Sequence, residues 1–219
     1  MATKNSLNNK SQELTLDPGA SGDSFLQFDI NSTGEFRIGV DDTDDSFRIS
    51  QGSALGTNDT FVMTAAGERT MPLQSAFLAY LGTTDSNATG DGTNYTLGSS
   101  GNALTEVFDQ NSDFNTNGTF TAPVTGKFLL TTTILMDDLV AAHVTSALTI
   151  TTSNRTYLAE MNNPGAMQSS GDLSFTLSVL ADMDASDTAT VTFYIAGSTK
   201  VVDVISTGAS SSFGGSLIC

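Results

Sequence analysis

The side chains best suited to catalysis are scarce in this chain of 219 residues. His143 is its only histidine and Cys219 its only cysteine, so a nucleophilic site of the Ser-His-Asp or Cys-His type would have to use His143. No Gly-x-Ser-x-Gly turn that would expose a nucleophilic serine occurs. One histidine and one cysteine also fall short of the three or four ligands of a zinc site. The sequence therefore predicts a protein that is not an enzyme, with His143 in a loop or at a subunit interface.

Acidic residues are the other candidates for chemistry, and they occur in short clusters. Asp182, Asp184 and Asp187 form one cluster, and further clusters lie at residues 41–45 and 137–138. Calcium prefers several oxygens that converge from one loop, although none of these clusters has the EF-hand spacing. Two interpretations stay open, a calcium site and a set of solvated turn acids with no cofactor. Paired carboxylates also hydrolyse glycosides, but a chain with no Trp and four Tyr lacks aromatic platforms for sugars.

The composition indicates a turn-rich β protein and excludes two classes of partner. Of the 24 acidic residues 19 are Asp, which favours turns, and only 5 are Glu, which favours helices. The net charge of −16 argues against nucleic acid and anionic membrane surfaces. No apolar run approaches the roughly 20 residues that span a bilayer, and the residues before Asn31 contain no apolar signal segment. We therefore expect synthesis in a cytoplasm without membrane insertion.

Short strands with alternating apolar residues follow the polar first 20 residues. Phe25, Phe36 and Phe47 are 11 residues apart, and the pieces EFRIG and SFRIS nearly repeat between residues 35 and 50. Turn sequences separate them at residues 31–34 and 41–45. About 40 residues of such strands cannot enclose a core of their own. The pattern therefore favours oligomerisation, in which these three phenylalanines from several chains would form a shared apolar core.

The region from residue 75 onward carries longer alternating strands, and their pattern predicts an antiparallel sandwich. Residues 138–144 are either a single helical turn or a loop. The long polar stretches 83–102 and 162–172 are predicted to be loops, which is where a rigid sandwich would carry recognition. The four tyrosines are candidates for contact surfaces because each combines an apolar ring with a polar tip.

The segment at residues 108–128, FDQNSDFNTNGTFTAPVTGKF, resembles the signature of the C1q/TNF-like jelly roll. That family shows an aromatic-Asp start, a later aromatic and then Gly-x-Phe-x-x-Pro-x-x-Gly-x-aromatic, and the closing SSFGGSLIC resembles its last strand. The resemblance also covers the first strand, SAFLAYL, and the strand entry LADMDASDTATV, so it spans about residues 75–219. Ser186 departs from it, since the family usually has Gly there. The matching residues are Phe108, Asp109, Phe114, Gly118, Phe120, Pro123, Gly126 and Phe128, with Phe213 in the closing strand.

The segment GDSFLQFDINSTGEFRIGVDDTDDSFRIS at residues 22–50 resembles a stalk module of phage and prophage fibre proteins. Together the two resemblances imply an all-β homotrimer with three parts: an N-terminal attachment arm (1–23), a short trimeric β stalk (24–70) and a C1q-like jelly-roll head (71–219). In such a trimer each aspartate near the axis would appear three times, which could complete a calcium site that one chain does not show.

These implications lead to an expected function. The chain is expected to be a phage virion surface protein, made in the host cytoplasm, that presents its head for attachment to a glycan or protein of the host surface. The alternative is a structural capsid decoration protein that stabilises capsomers through residues 1–23. The sequence leaves open whether the arm contacts capsid or tail proteins.

Overall fold

The computed structural model describes residues 15–16, 18–19, 21–30, 35–167 and 172–219. The chain divides into two compact units, Met1–Leu73 and Gln74–Cys219. Most of the predicted arm and the predicted turn at residues 31–34 lie outside the described residues. Within the described part, no helix is long and apolar enough to span a membrane.

The N-terminal unit is one antiparallel sheet in which each strand pairs with the next along the chain. Its turn at residues 41–45 forms as predicted, because Asp41 and Asp44 accept backbone N–H bonds from Thr43 and Ser46, two residues further on. The strands are β1 (Ser24–Asp29), β2 (Glu35–Asp41), β3 (Ser46–Gln51), β4 (Asp59–Met63) and β5 (Arg69–Thr70).

The C-terminal unit is built from two antiparallel sheets. Its strands are β6 (Ala76–Leu81), β7 (Asp85–Thr89), β8 (Tyr95–Thr96), β9 (Leu104–Asp109), β10 (Phe114–Asn115), β11 (Thr119–Thr121), β12 (Gly126–Asp137), β13 (Thr145–Thr152), β14 (Thr156–Asn162), β15 (Leu173–Met183), β16 (Thr188–Ala196), β17 (Val202–Val204) and β18 (Ser212–Leu217). A short helix α1 (Pro164–Met167) and a 3-10 turn at Thr207–Ala209 complete the unit.

The connectivity of these strands is that of a jelly roll. One sheet runs β7-β17-β12-β18-β6-β9, with β15 also paired to β12, and the other runs β10-β11-β16-β13-β14, with β8 paired to β16. The chain crosses from one sheet to the other between β12 and β13, between β14 and β15, between β15 and β16, and again on the way to β17 and β18. The predicted all-β class and antiparallel jelly-roll sandwich are therefore confirmed.

The core lies between the two sheets because every second residue of their strands points inward. In β12 the residues Phe128, Leu130, Ile134 and Met136 are buried, and in β16 Val191, Phe193 and Ile195 are buried. Thr132 is the polar exception in β12, and its hydroxyl donates to the Ser212 carbonyl oxygen. Burial of this alternating set is the main source of the unit's stability.

Residues 138–144 form a loop, which is one of the two alternatives that the sequence left open. Two details differ from the sequence-based expectation. The predicted loop at residues 162–172, of which residues 168–171 lie outside the described part, contains the short helix α1, which Pro164 opens. The stretch 83–102 is not a free loop, since it contains β7 and β8, which pair with β17 and β16. Its many small polar residues hide the strand pattern.

Candidate functional site

The aromatic residues of the jelly-roll signature form the centre of the core. The Phe77 ring stacks on both Phe114 and Phe120, with centroids 4.7 Å apart in each case. Phe213 meets Phe77 edge-on at 5.1 Å, and Phe128 lies 5.4 Å from Phe120. These signature residues therefore act as scaffold between the sheets.

Three other signature residues shape the turns around that core. Gly118 has φ +87°, and a Cβ there would overlap the Leu97 carbonyl oxygen. Pro123 follows the end of β11, where the missing N–H of proline removes no ladder bond. Gly126 opens β12 beside Leu217, with a Cβ-to-Cδ1 distance of 2.7 Å if a side chain were added.

Phe108 is the signature residue that lies outside the core, and it belongs to an apolar row on the outer face of the first sheet. Leu180 pairs with Leu129, which is opposite Ser216 of β18, and Phe108 pairs with Leu78, which is opposite Gly214, so the two pairs share a face but are offset by two residues. Leu180, Phe108 and Leu129 are 60%, 49% and 43% exposed. The face carries hydroxyls around this row, including the Thr131–Ser178 and Thr133–Thr176 pairs.

The N-terminal sheet has one apolar face and one polar face, because directly paired residues of neighbouring strands point to the same side. Phe36 is 47% exposed on the apolar face, and Phe28 is 60% exposed. The apolar face consists of Leu26, Phe28, Phe36, Ile38, Val40, Phe47, Ile49, Phe61 and Met63. We call these nine residues the apolar face.

The three residues of the predicted stalk core lie on different faces of this sheet. Phe36 and Phe47 belong to the apolar face. Phe25 pairs with Gly39 on the polar face, where the Arg37 guanidinium lies 4.2 Å from the centre of the Phe25 ring.

The polar face holds a buried ion-pair network around Arg48. The guanidinium contacts Asp41 at 3.2 Å and Asp44 at 2.6 Å, and it also pairs with Asp59. Asp59 accepts a further bond from the Ser50 hydroxyl at 2.5 Å. Burial alone would lower the pKa of Arg48, but the bonds and charges of Asp59 and Asp44 outweigh it and raise that pKa. The network ties the turn at residues 41–45 to β3 and β4.

Beside this network lies one acidic trio. Asp23, Asp41 and Asp42 have carboxylate oxygens within 4.8 Å of one another, and they are the one such group in the described part of the chain. Protein donors already use these oxygens, since Gly22 N–H donates to Asp42 at 2.7 Å and Asp42 N–H to Asp23 at 3.2 Å. Asp41 also pairs with the Arg48 guanidinium at 3.2 Å.

The predicted calcium candidates Asp182, Asp184 and Asp187 do not form such a group. Asp182 faces Arg155 at 3.3 Å on the outer surface of β15. Asp187 accepts a bond from the Asp184 N–H at 2.8 Å and so closes the turn between β15 and β16. Within one chain these acids act as an exposed ion pair and a turn.

His143 is fully buried in the loop that precedes β13. Val140 N–H donates to its Nδ1 at 3.0 Å, and its Nε2 lies 3.4 Å from the Thr199 carbonyl oxygen. That arrangement fits a neutral ring with its proton on Nε2. Both nitrogens are occupied by backbone groups, so the ring holds two loops together and faces no nucleophile.

A polar cavity of about 520 Å³ opens in the stretch that had been expected to be a loop. Its floor is the buried Asp85 carboxylate, which accepts the Tyr95 hydroxyl at 2.5 Å and both the backbone and side-chain N–H groups of Asn102 at 2.9 and 2.5 Å. Any Cβ on Gly101 would overlap the Asp85 carboxylate. We call this space the Asp85 cavity; it is lined by Thr84, Asp85, Ser86, Asn87, Ala88, Thr93, Asn94, Tyr95, Ser100, Gly101, Asn102 and Lys200.

Sequence reasoning missed this site because its partners are far apart along the chain. Asp85 and Asn102 are separated by 17 residues, and the rim residue Asn87 is held through its N–H by Asp203 at 2.7 Å. Tyr95 was expected at a contact surface, but it is buried, and that burial together with Asp85 raises the pKa of its phenol.

Comparisons with known proteins find similarity in structure and none in sequence families. No protein-family profile and no curated protein sequence matches the chain. Among solved structures, the globular domain of the zebrafish complement 1qA protein aligns with a TM-score of 0.42 at 16% identity, over 66% of this chain and 98% of that one. Murine APRIL at pH 8.5 aligns with a TM-score of 0.45 at 12% identity, over 66% of this chain and 99% of that one. The chain is similar to these two solved proteins at low sequence identity, and its jelly roll is established by its own strand connectivity.

Proposed function

We propose that this chain is a homotrimeric surface protein of a phage virion, in which an N-terminal stalk carries a jelly-roll head for attachment to the host surface. The apolar face of the N-terminal sheet carries the proposal. A sheet with one apolar face needs a second layer to bury it. In a single chain Phe28, Phe36 and Leu26 are 60%, 47% and 42% exposed. The described residues therefore do not supply the second layer that would bury the apolar face.

Further copies of the chain are the natural second layer. The apolar face carries no charge, so copies can pack it together without the repulsion that a chain of net charge −16 would otherwise meet. The arm, residues 1–23, is too polar to cover nine apolar side chains, because its apolar residues are few. The apolar row with Leu129 and Leu180 on the head offers a second contact between copies.

The assignment to a phage virion rests on the sequence. The pairing of a fibre-like stalk with a C1q-like head is typical of virion fibre and decoration proteins, and the strongly acidic surface suits a protein exposed to solvent. The proposal includes no catalytic step. It places the protein on the exterior of the capsid or tail, held by residues 1–23.

Native mass spectrometry of the full chain tests the assembly. We expect a mass near 68 kDa, three times the 22.8 kDa of one chain. A monomer at micromolar concentration would contradict the proposal.

Antibody labelling of virions tests the location. Label at the tail tip would support attachment, and label over the capsid shell would support the alternative role as a decoration protein. Particles that carry no label would contradict both roles. A chain lacking residues 1–20 should still form trimers but should be absent from particles.

A further inference from the structure

The Asp85 cavity is a built site and not a gap between mobile loops. The Asp85 carboxylate joins β7 to Tyr95 and to Asn102 with four hydrogen bonds. The rim is fixed independently, since Asp203 accepts the Asn87 N–H at 2.7 Å and the Ser86 hydroxyl at 3.2 Å. A ligand would therefore meet groups whose positions are set before it binds.

The lining excludes apolar ligands. Ala88 is its only aliphatic side chain, and Tyr95, its only aromatic one, is 2% exposed. An apolar molecule would have to remove water from hydroxyl and amide groups without replacing their hydrogen bonds, which is unfavourable. The volume of about 520 Å³ lies within the range of roughly 300–1,000 Å³ typical of small-molecule sites.

The charges in the lining favour a neutral ligand. Among the lining residues Asp85 and Lys200 carry the only formal charges, while the nearby carboxylates of Asp203, which binds Asn87, and of Asp91, whose charge interacts with Lys200, add negative charge around them. An anion would meet Lys200 but also the Asp85 carboxylate and a chain of net charge −16. A cation would find the Asp85 oxygens already occupied by Tyr95 and Asn102.

The remaining groups suit hydroxyls. The side-chain amides of Asn87 and Asn94 each offer two donors and an acceptor, and the Lys200 ammonium offers three donors. A hydroxyl group both donates and accepts a hydrogen bond. A molecule with several neighbouring hydroxyls can therefore pair with these amide and ammonium groups together, whereas a molecule with one polar group would leave most of them without a partner.

We infer that the Asp85 cavity binds a neutral saccharide, with Asn87, Asn94 and Lys200 as the contacting side chains. The inference deepens the attachment role proposed above and depends on that role only for its biological meaning. The site lies within one chain, so sugar binding and trimer formation can be measured separately.

Saturation-transfer NMR on the full chain tests the inference. D-glucose, D-galactose, D-mannose, L-rhamnose and N-acetyl-D-glucosamine would each be added alone at about 10 mM, a concentration that fills most of a site with a Kd on the order of 1 mM. We expect saturation transfer to at least one of the five sugars. The double variant Asn94→Ala, Lys200→Ala should raise the Kd of that sugar about tenfold.

The matched control is Asn162→Ala, which removes an exposed amide from β14, a strand with no residue in the cavity lining, and should leave binding unchanged. Absence of transfer to all five sugars, or unchanged binding by the double variant, overturns the inference. Native mass of each variant separates the two proposals. A trimer that binds no sugar overturns only the saccharide site, and a monomer that binds sugar overturns only the assembly.

Discussion

At the scale of single residues, Asp85 is the side chain on which most of the cavity depends. It is 8% exposed and accepts bonds from Tyr95 and Asn102. Replacing it with alanine leaves a phenol and an amide without their acceptor, so we expect Asp85→Ala to lower the free energy of unfolding by about 3 kcal/mol. Urea unfolding measures this loss. Asp172→Ala, at an exposed aspartate before β15, should change stability by less than about 0.5 kcal/mol.

Tyr95 gives a spectroscopic prediction. Burial and the bond to Asp85 raise the pKa of its phenol above the ordinary value of 10.0. The protonated form is therefore the stable one in the fold, and its contribution is present below about pH 10 and lost as pH rises through the raised pKa. In an alkaline titration followed by ultraviolet absorbance, Tyr95 should stay protonated until the protein unfolds. Tyr95→Phe should remove that late step.

At the scale of elements, the Arg48 network holds the N-terminal sheet in register. The Arg48 side chain is 13% exposed, and its partners Asp41 and Asp59 are 8% and 7% exposed. Arg48→Leu leaves both carboxylates buried without their cation, and we expect it to destabilise this unit by about 3–5 kcal/mol. Arg69→Leu changes an exposed arginine of β5 and serves as the control. Equal stability of the two variants in urea unfolding would contradict this role of Arg48.

The same element should be sensitive to acid. The Ser46 hydroxyl, then its N–H and the charge of Arg48, lower the pKa of Asp44 below its ordinary value of 3.8. The folded pKa lies below the unfolded one, so the stabilisation is present above about pH 3.8 and is lost as pH falls through the folded pKa. We expect the Tm of the N-terminal unit to fall with pH in this window. Asp44→Asn should have a flatter profile there.

The sequence predicted the sandwich well and the N-terminal sheet only in part. Alternation in β12, β15 and β16 identified buried residues directly, because a period of two assigns every second residue to the core. The 11-residue spacing of Phe25, Phe36 and Phe47 suggested one shared face, but register decides the face. β1 and β2 pair so that Phe25 lies opposite Gly39, while Phe28 lies opposite Phe36. A shift of one residue in pairing reverses every side chain of a strand, and the sequence alone does not set that shift.

The polar cavity was beyond prediction for a different reason. Its strands β7 and β8 have five and two residues, and small polar side chains give them no period. Their pairing with β17 and β16 depends on strands more than 90 residues later in the chain. Such contacts are fixed by the completed sandwich and leave no local signal.

At the scale of the whole molecule, two phenylalanines on opposite faces give a sharp test of assembly. Phe36→Asp places a carboxylate on the apolar face, and in a symmetric trimer the lesion occurs three times. We expect this variant to be monomeric by native mass spectrometry. Phe25→Asp makes the same change on the polar face, beside Arg37, and should remain trimeric. A trimeric Phe36→Asp variant would contradict the assembly through the apolar face.

The position of β18 also has a consequence for how the molecule is made. This strand is the last of the sandwich in sequence, yet it lies between β12 and β6 in the middle of its sheet. During synthesis the β12–β15 pair and the β6–β9 pair cannot join into one sheet until residues 212–217, which form the strand between them, leave the ribosome. A nascent sandwich in which these pairs have formed therefore exposes two unpaired strand edges from the completion of β15 until residues 212–217 are added, and a ribosome that stalls in this interval should yield an aggregation-prone product.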